Sequence, residues 1–327
     1  MKILGIDIGF SSVKCAYGDS SSKEPTKLFK FPSIVGVMEK NEHIKDNRSF
    51  DYCDKSYYIG EDALQLPSES LTDIIEYKKL EFFAPLFLAY AIKKIGETPD
   101  MIVTGLSKAQ ITNSGYFKQK LLEFVVNSIR YKFDPKLVYV IPQGAGCKVC
   151  ADIFGLLFDG NKTEYANVQN YIGIDGGFNT VDIYRVINGK TSAATFDGIE
   201  NAGVMRIASK VQNLIKQKHN KDITLHEANE IITSGKYKLR SETFDYTEEI
   251  QQIKKEYIME MLNVIETKYG KVLDKCECIY FSGGASRLFK SCEINGINII
   301  VPLRNNEYLN CIGQFLFGVD QVNKAKE

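Results

Sequence analysis

The chain has 327 residues, 44% hydrophobic and 25% charged, with 41 basic residues balanced by 41 acidic ones. That length suits two domains, each with its own core. The zero formal charge argues against a protein that grips nucleic acid through its whole surface, and it does little to keep copies of the chain apart.

The chain opens directly on a strand (MKILGIDIG) with no charged leader or cleavage site, so a signal peptide is not expected and a cytoplasmic protein is. The eight cysteines are scattered and read as reduced thiols. ILGIDIG, VKCAYGD and KLFKFPSIVG form a hairpin-like opening, and SYYIGEDA a further strand. Residues 71–95 carry helical periodicity. Their apolar stretch from Phe82 to Ile95 contains Pro85 and Lys93, too short to span a bilayer, so it reads as a buried helix and no membrane partner is expected. MIVTGL at 101–106 is a buried strand, 115–130 an amphipathic helix, and LVYVIPQGAG a strand entering a glycine turn before the helix CKVCADIFGLLF.

The second half repeats the grammar. YIGIDGG, TVDIYRVI and GKTSAATF read as a three-strand meander, followed by DGIENAG and the helix VMRIASKVQNLIKQK. LHEANEIITSG is a helix capped at Gly235. Residues 246–269 form a long amphipathic helix, and CIYFSGGASRLF reads as strand, glycine turn, helix. No linker rich in Pro, Gly or Ser separates the halves, so the boundary near Gly160–Glu164 reads as a cleft hinge.

Three glycine turns carry the chemistry. Asp7, Gly9, Ser11, Ser12 and Lys14 make the first; Asp175, Gly176, Gly177, Asn179 and Thr180 the second; Gly283, Gly284 and Ala285, after Ser282, the third. Bare glycines let backbone N–H groups approach phosphate oxygens, hydroxyls donate to them, and an aspartate organises Mg²⁺ and its waters. The third turn would let a nucleoside lie flat at a helix N-terminus. An ordinary hairpin turn competes for the first motif, and a solvated strand-end lysine for Lys14. Cys147/Cys150 and Cys276/Cys278 would need distant segments to meet before they could bind zinc, which is not expected. His43, His219 and His226 read as surface residues, and Lys254, Lys255 and the run at 216–221 as solvated helix faces.

In this order the turns resemble the phosphate-1, connect, phosphate-2 and adenosine motifs of the actin/Hsp70/sugar-kinase superfamily, over nearly the whole chain. The resemblance implies an α/β fold of two actin-like domains, duplicated RNase H-like units around a nucleotide cleft, with 1–160 plus 306–327 as the first and 161–305 as the second. It implies ATP and Mg²⁺ as cofactors, with GTP the open alternative. Asp7 and Asp175 match the carboxylates that orient Mg²⁺ through water. Ser11, Ser12, Asn179 and Thr180 match phosphate contacts, Gly283, Gly284 and Ala285 the adenosine shelf, and Gly203 opens a helix near the nucleotide.

The connect motif Val140–Gly146 carries Gln143 where sugar kinases of this fold place a general-base aspartate. An amide cannot take that proton but can orient a water; a plain turn residue is the competing reading. The P-Q-G-A-G phrase, Phe31–Ser33, YYIGEDA and NAGVMRIASKV resemble the plasmid-segregation actins of the ParM/StbA type and related archaeal actin-like proteins. ParM itself tends to carry Glu at the Gln143 position, whereas eukaryotic actin and some archaeal relatives carry Gln. This implies a slow ATPase with Gln143, Asp7 and Asp175 at its centre, forming head-to-tail filaments with itself. Plasmid segregation would then need a DNA-binding adaptor, with no direct nucleic-acid contact. A small-molecule kinase and a non-polymerising nucleotide switch are the alternatives.

Overall fold

The computed structural model describes residues 1–38, 47–158, 165, 167–288, 290–294 and 296–326. The hinge expected near Gly160–Glu164, Tyr165 excepted as its neighbour, and His43 lie outside them. The first half runs β1 (Lys2–Ile8), β2 (Ser12–Asp19), β3 (Lys27–Pro32), β4 (Ile34–Val37), β5 (Phe50–Tyr52), β6 (Lys55–Ile59), β7 (Leu71–Asp73), α1 (Tyr77–Ile95), β8 (Met101–Leu106), α2 (Ser114–Leu122), β9 (Glu123–Val126), β10 (Ile129–Lys132), β11 (Val138–Pro142) and α3 (Ala145–Phe154). Its main sheet has the order β11-β8-β1-β2-β3, with β5-β6-β4-β7 forming a smaller sheet beside it.

The second half runs β12 (Tyr171–Gly176), β13 (Val181–Val186), β14 (Phe196–Ile199), α4 (Met205–His219), α5 (Leu225–Ser234), β15 (Lys236–Leu239), β16 (Glu242–Asp245), α6 (Thr247–Leu273), β17 (Cys278–Ser282), β18 (Cys292–Ile294), β19 (Ile297–Ile300) and α7 (Leu309–Lys324). Its main sheet has the order β14-β13-β12-β17-β19-β18. Both main sheets are built on one plan. An antiparallel meander of three strands adds parallel strands at its first edge: β8 beside β1, and β17 beside β12.

The helices α3 and α7 join the two sheets. One apolar cluster contains Ile3 and Met101 of the first sheet, Tyr171, Tyr184 and Tyr280 of the second, and Cys147, Ile312 and Phe315 of the two helices. The helices cross backbone to backbone at Gly146 and Gly313, where any Cβ would overlap the other helix. Gly5 lets α7 approach β1 in the same way, since a Cβ there would sit 2.6 Å from the Phe315 amide.

Four sequence expectations are corrected. The helix expected over 115–130 stops at Leu122. Glu123–Val126 alternates exposed and buried, and Asn127 and Ser128 both take positive φ (53° and 61°), so the chain turns back as a tight hairpin. The helix expected from residue 71 starts at Tyr77, after the short strand β7, which pairs with β4. The third meander strand begins only at Phe196, because Ala193–Thr195 form a 3₁₀ turn closed by a Ser192 capping box. After Ser282 the chain makes a 3₁₀ turn over Gly284–Leu288 in place of a full helix. The α5 cap holds: Gly235 has φ 74° and its N–H reaches Ile231 O at 2.8 Å. No helix of the described residues is long and apolar enough to cross a membrane.

Candidate functional site

The β1–β2 and β12–β13 hairpins present their turns to one cavity of about 440 Å³ between the halves, within the usual size of a ligand pocket. In the first hairpin, Asp7 sits directly across from Lys14. Lys14 Nζ lies 3.3 Å from Asp7 Oδ2, and the carboxylate is only 4% exposed. Burial alone would lower the lysine's pKa, but Asp7 first and then Asp175 outweigh it, so the ammonium is held above its ordinary value.

The second hairpin places an acid opposite an acid: Asp175 faces Asp182. Burial, and after it the charge of Asp7, pushes Asp175 up to about 6, against the opposing pull of Lys14 and Asn310. Asp182 is 2% exposed. Burial and then Asp175 push it up to about 8, although the Lys108 N–H at 3.0 Å and the Thr180 hydroxyl at 3.2 Å both donate to it. Asp182 therefore keeps its proton at neutral pH and lies behind the cavity wall, so the carboxylates that a cation in the cavity would meet are Asp175 and, from the other hairpin, Asp7.

Gln143 follows β11 and turns its side chain inward, donating from Nε2 to Asp7 Oδ1 at 3.1 Å. Gly105 leaves it room, since a Cβ there would press within 3.3 Å of Gln143 Cγ. Gly283 takes φ 83°, and a Cβ on it would overlap the Asp175 carboxylate. The third turn is therefore pressed against the second.

Of the residues singled out from sequence, the cavity wall contains Asp7, Gly9, Ser11, Ser12, Lys14, Gln143, Asp175, Gly177, Thr180, Gly283, Gly284 and Ala285. Three sit elsewhere. Gly176 packs behind the wall, where a Cβ would meet Ala285 Cβ at 2.6 Å. Gly203 lies beneath the second turn, its N–H 3.2 Å from Asn179 O. The Asn179 side chain leaves the cavity and donates to Ile75 O at 3.4 Å in the first half. Among the described residues no group of three or more His, Cys, Asp or Glu is arranged to hold a metal by itself.

Sequence reasoning missed several wall residues. Asn310 is buried and bonds to Asp175. Glu307 binds Lys30 at 2.8 Å and Arg287 at 3.3 Å, drawing β3 toward the third turn. The His226 side chain is partly exposed as expected, beside Glu230, and at the same time lines the cavity. His219 departs from expectation: it packs among Tyr237, Phe244 and Tyr246, with Nε2 2.6 Å from the Tyr246 hydroxyl. Lys254 is half-buried, donates to Ile232 O at 3.0 Å, and is held below its ordinary pKa by burial. Lys30, His226 and Arg287 lie in phrases legible in the sequence, but nothing local shows that they meet the cavity; the fold brings them there.

Residues 5–146 match the family model of the N-terminal domain of actin-like proteins. Residues 173–292 match that of the C-terminal domain of the archaeal MreB-like actin homologues. No curated protein matches the sequence. Among solved structures, the subunit of a 15-stranded ParM filament from Clostridium botulinum is 20% identical, with 98% of this chain and 99% of that one covered and a TM-score of 0.75. An archaeal actin homologue in complex with ADP is 14% identical, covering 99% and 100%, with a TM-score of 0.72. The actin-like protein Alp7A is 16% identical, covering 99% and 97%, with a TM-score of 0.71. At such identities the likeness establishes the fold: two actin-like domains.

Proposed function

The chain belongs to the actin-like proteins, and from that premise we propose that it binds Mg²⁺–ATP between its halves, hydrolyses it slowly and assembles into filaments under control of the nucleotide. Residues 1–160 plus 306–327 form one jaw in this reading, and 161–305 the other. The observation that carries it is the convergence of Asp7, Lys14, Gln143 and Asp175 on one cavity floored by the Gly283–Ala285 turn. The ADP held by the archaeal relative and the filament formed by the Clostridium relative support it.

The donor set fits the group. Asp175 is an acid raised by burial and by Asp7, and a divalent cation with its waters is what such a pair accommodates. Mg²⁺–ATP, when bound, supplies the reacting phosphorus and the charge that draws the carboxylates together. Ser11, Ser12 and the backbone N–H groups of the first two turns receive phosphate oxygens. Lys14 adds positive charge, and Gly283, Gly284 and Ala285 carry the nucleoside. Gln143 spends an N–H on Asp7, which leaves its carbonyl oxygen to accept a proton of the attacking water. An amide orients that water without removing its proton, which makes for slow turnover and sets the chain apart from kinases of related fold that use a carboxylate base.

Loss of the γ-phosphate would loosen the jaws and weaken contacts between copies. A DNA cargo would be reached through a basic adaptor protein, given the chain's zero net charge. ATP turnover measured alongside light scattering and sedimentation tests the proposal. ATP-dependent sedimentable polymer with phosphate release is expected; a chain that stays soluble at high concentration with Mg²⁺–ATP contradicts it.

A further inference from the structure

Asn310 opens α7 and is 4% exposed, yet no motif points to it. Its carboxamide works in two directions. Oδ1 accepts the backbone N–H of Gly144, the residue after Gln143, at 3.1 Å, and Nδ2 donates to Asp175 Oδ2. On the other side Gln143 donates to Asp7 Oδ1 at 3.1 Å. One line of polar contacts thus runs from Asp7 through residues 143–144 and Asn310 to Asp175, joining the acids of the two hairpins.

Few side chains could fill this place. A carboxylate would keep the bond from Gly144 but face Asp175 with like charge. An apolar side chain would leave a buried N–H and a buried carboxylate each short of a partner. The surroundings leave little freedom to adjust. Gly144 takes φ 85°, with a Cβ position only 2.8 Å from the Tyr184 ring. Gly146 lies so close to Asn310 that its own Cβ would overlap the Asn310 backbone. The crossing of α3 and α7 therefore sets the height of Asn310, and Asn310 sets the spacing between Gly144 and Asp175.

We propose that Asn310 is a positioning residue for hydrolysis: it ties the segment that carries Gln143 to the Asp175 hairpin, so that the glutamine reaches its water only when both hairpins are in register. The proposal rests on the nucleotide reading given above and adds to it the device that links jaw position to chemistry. Misplacing a reacting group by about 1 Å can cost on the order of a hundredfold in rate, so a tie of this kind acts on turnover more than on binding.

The test uses the full chain with Asn310→Asp, which keeps the size, and Asn310→Ala, which removes the bonds to Gly144 and Asp175 together with the weaker one that Oδ1 accepts from the Cys147 thiol at 3.5 Å. Affinity for a fluorescent ATP analogue, kcat and KM for ATP, thermal melting and hydrogen exchange at the Gly144 amide are compared with wild type. Both variants are expected to lose at least about tenfold in kcat, while KM and analogue affinity move by less than about threefold. Exchange at the Gly144 amide should quicken in Asn310→Ala and stay slow in Asn310→Asp. Wild-type kcat in both variants overturns the inference. So does a parallel fall of kcat, affinity and melting temperature, which would mark Asn310 as merely structural. A wild-type chain that neither binds nor hydrolyses ATP overturns the proposed function, and the hydrolytic role of Asn310 with it. Turnover in wild type that is indifferent to Asn310 overturns this inference alone.

Discussion

Asp7 and Asp175 occupy the same place in two copies of one hairpin, but the strand returning beside each brings a different partner, Lys14 to the first and Asp182 to the second. The first hairpin carries its own counter-ion, 3.3 Å from the carboxylate. The second sets two buried acids side by side, both raised above the ordinary carboxylate range. A shared backbone plan therefore does not mean a shared electrostatic role. One jaw is settled before any ligand arrives; the other needs a proton or an outside cation to relieve it.

The comparison breaks most visibly in stability. Asp7→Asn should leave the half-buried Lys14 ammonium, which lines the cavity, without its ion-pair partner and destabilise the chain by about 2 kcal/mol. Asp175→Asn should cost far less, or stabilise, because it removes one of two facing acids. Adding Lys14→Met to Asp7→Asn should recover part of the loss, a coupling that a double-mutant cycle reads directly. Equal melting-temperature losses for Asp7→Asn and Asp175→Asn would abolish the distinction.

The next effect is in pH. An acid whose folded pKa is raised keeps a proton that the unfolded chain has already released, so its contribution falls as pH rises through the window between the two values. For Asp175 that window runs from the ordinary value of 3.8 to about 6, and for Asp182 from 3.8 to about 8. Each group should cost up to about 1.4 kcal/mol per pH unit within its window. The nucleotide-free chain should therefore melt lower at about pH 8 than at about pH 5, and Asp182→Asn should flatten the upper part of that fall. Asp182→Asn that leaves the pH dependence unchanged would remove Asp182 as its source.

Much of this was legible in the sequence because it is local. The aspartates, the glycines after them and the hydroxyls that follow lie within single turns, and alternation and apolar runs mark the strands that carry them. The connect glutamine is legible for the same reason. What escaped is what the chain assembles at long range. Asn310 meets Gly144 and Asp175 only because α7 crosses α3 at a pair of glycines. Lys30, Arg287 and Glu307 meet across three distant segments. Asn179 reads like a phosphate contact from its turn, yet a bond to Ile75 turns it away. The helix expected through residue 130 failed because short apolar runs fit both periods, and a two-residue turn at Asn127–Ser128 decided for the hairpin.

The most direct measurement is the affinity of wild type and Asp175→Asn for a fluorescent ATP analogue, with and without Mg²⁺. If the second jaw is the one that waits for a cation, wild type should bind at least about tenfold more tightly with Mg²⁺, and Asp175→Asn should lose that gain while keeping its metal-free affinity. Wild-type affinity indifferent to Mg²⁺, or a full Mg²⁺ gain in Asp175→Asn, would contradict it.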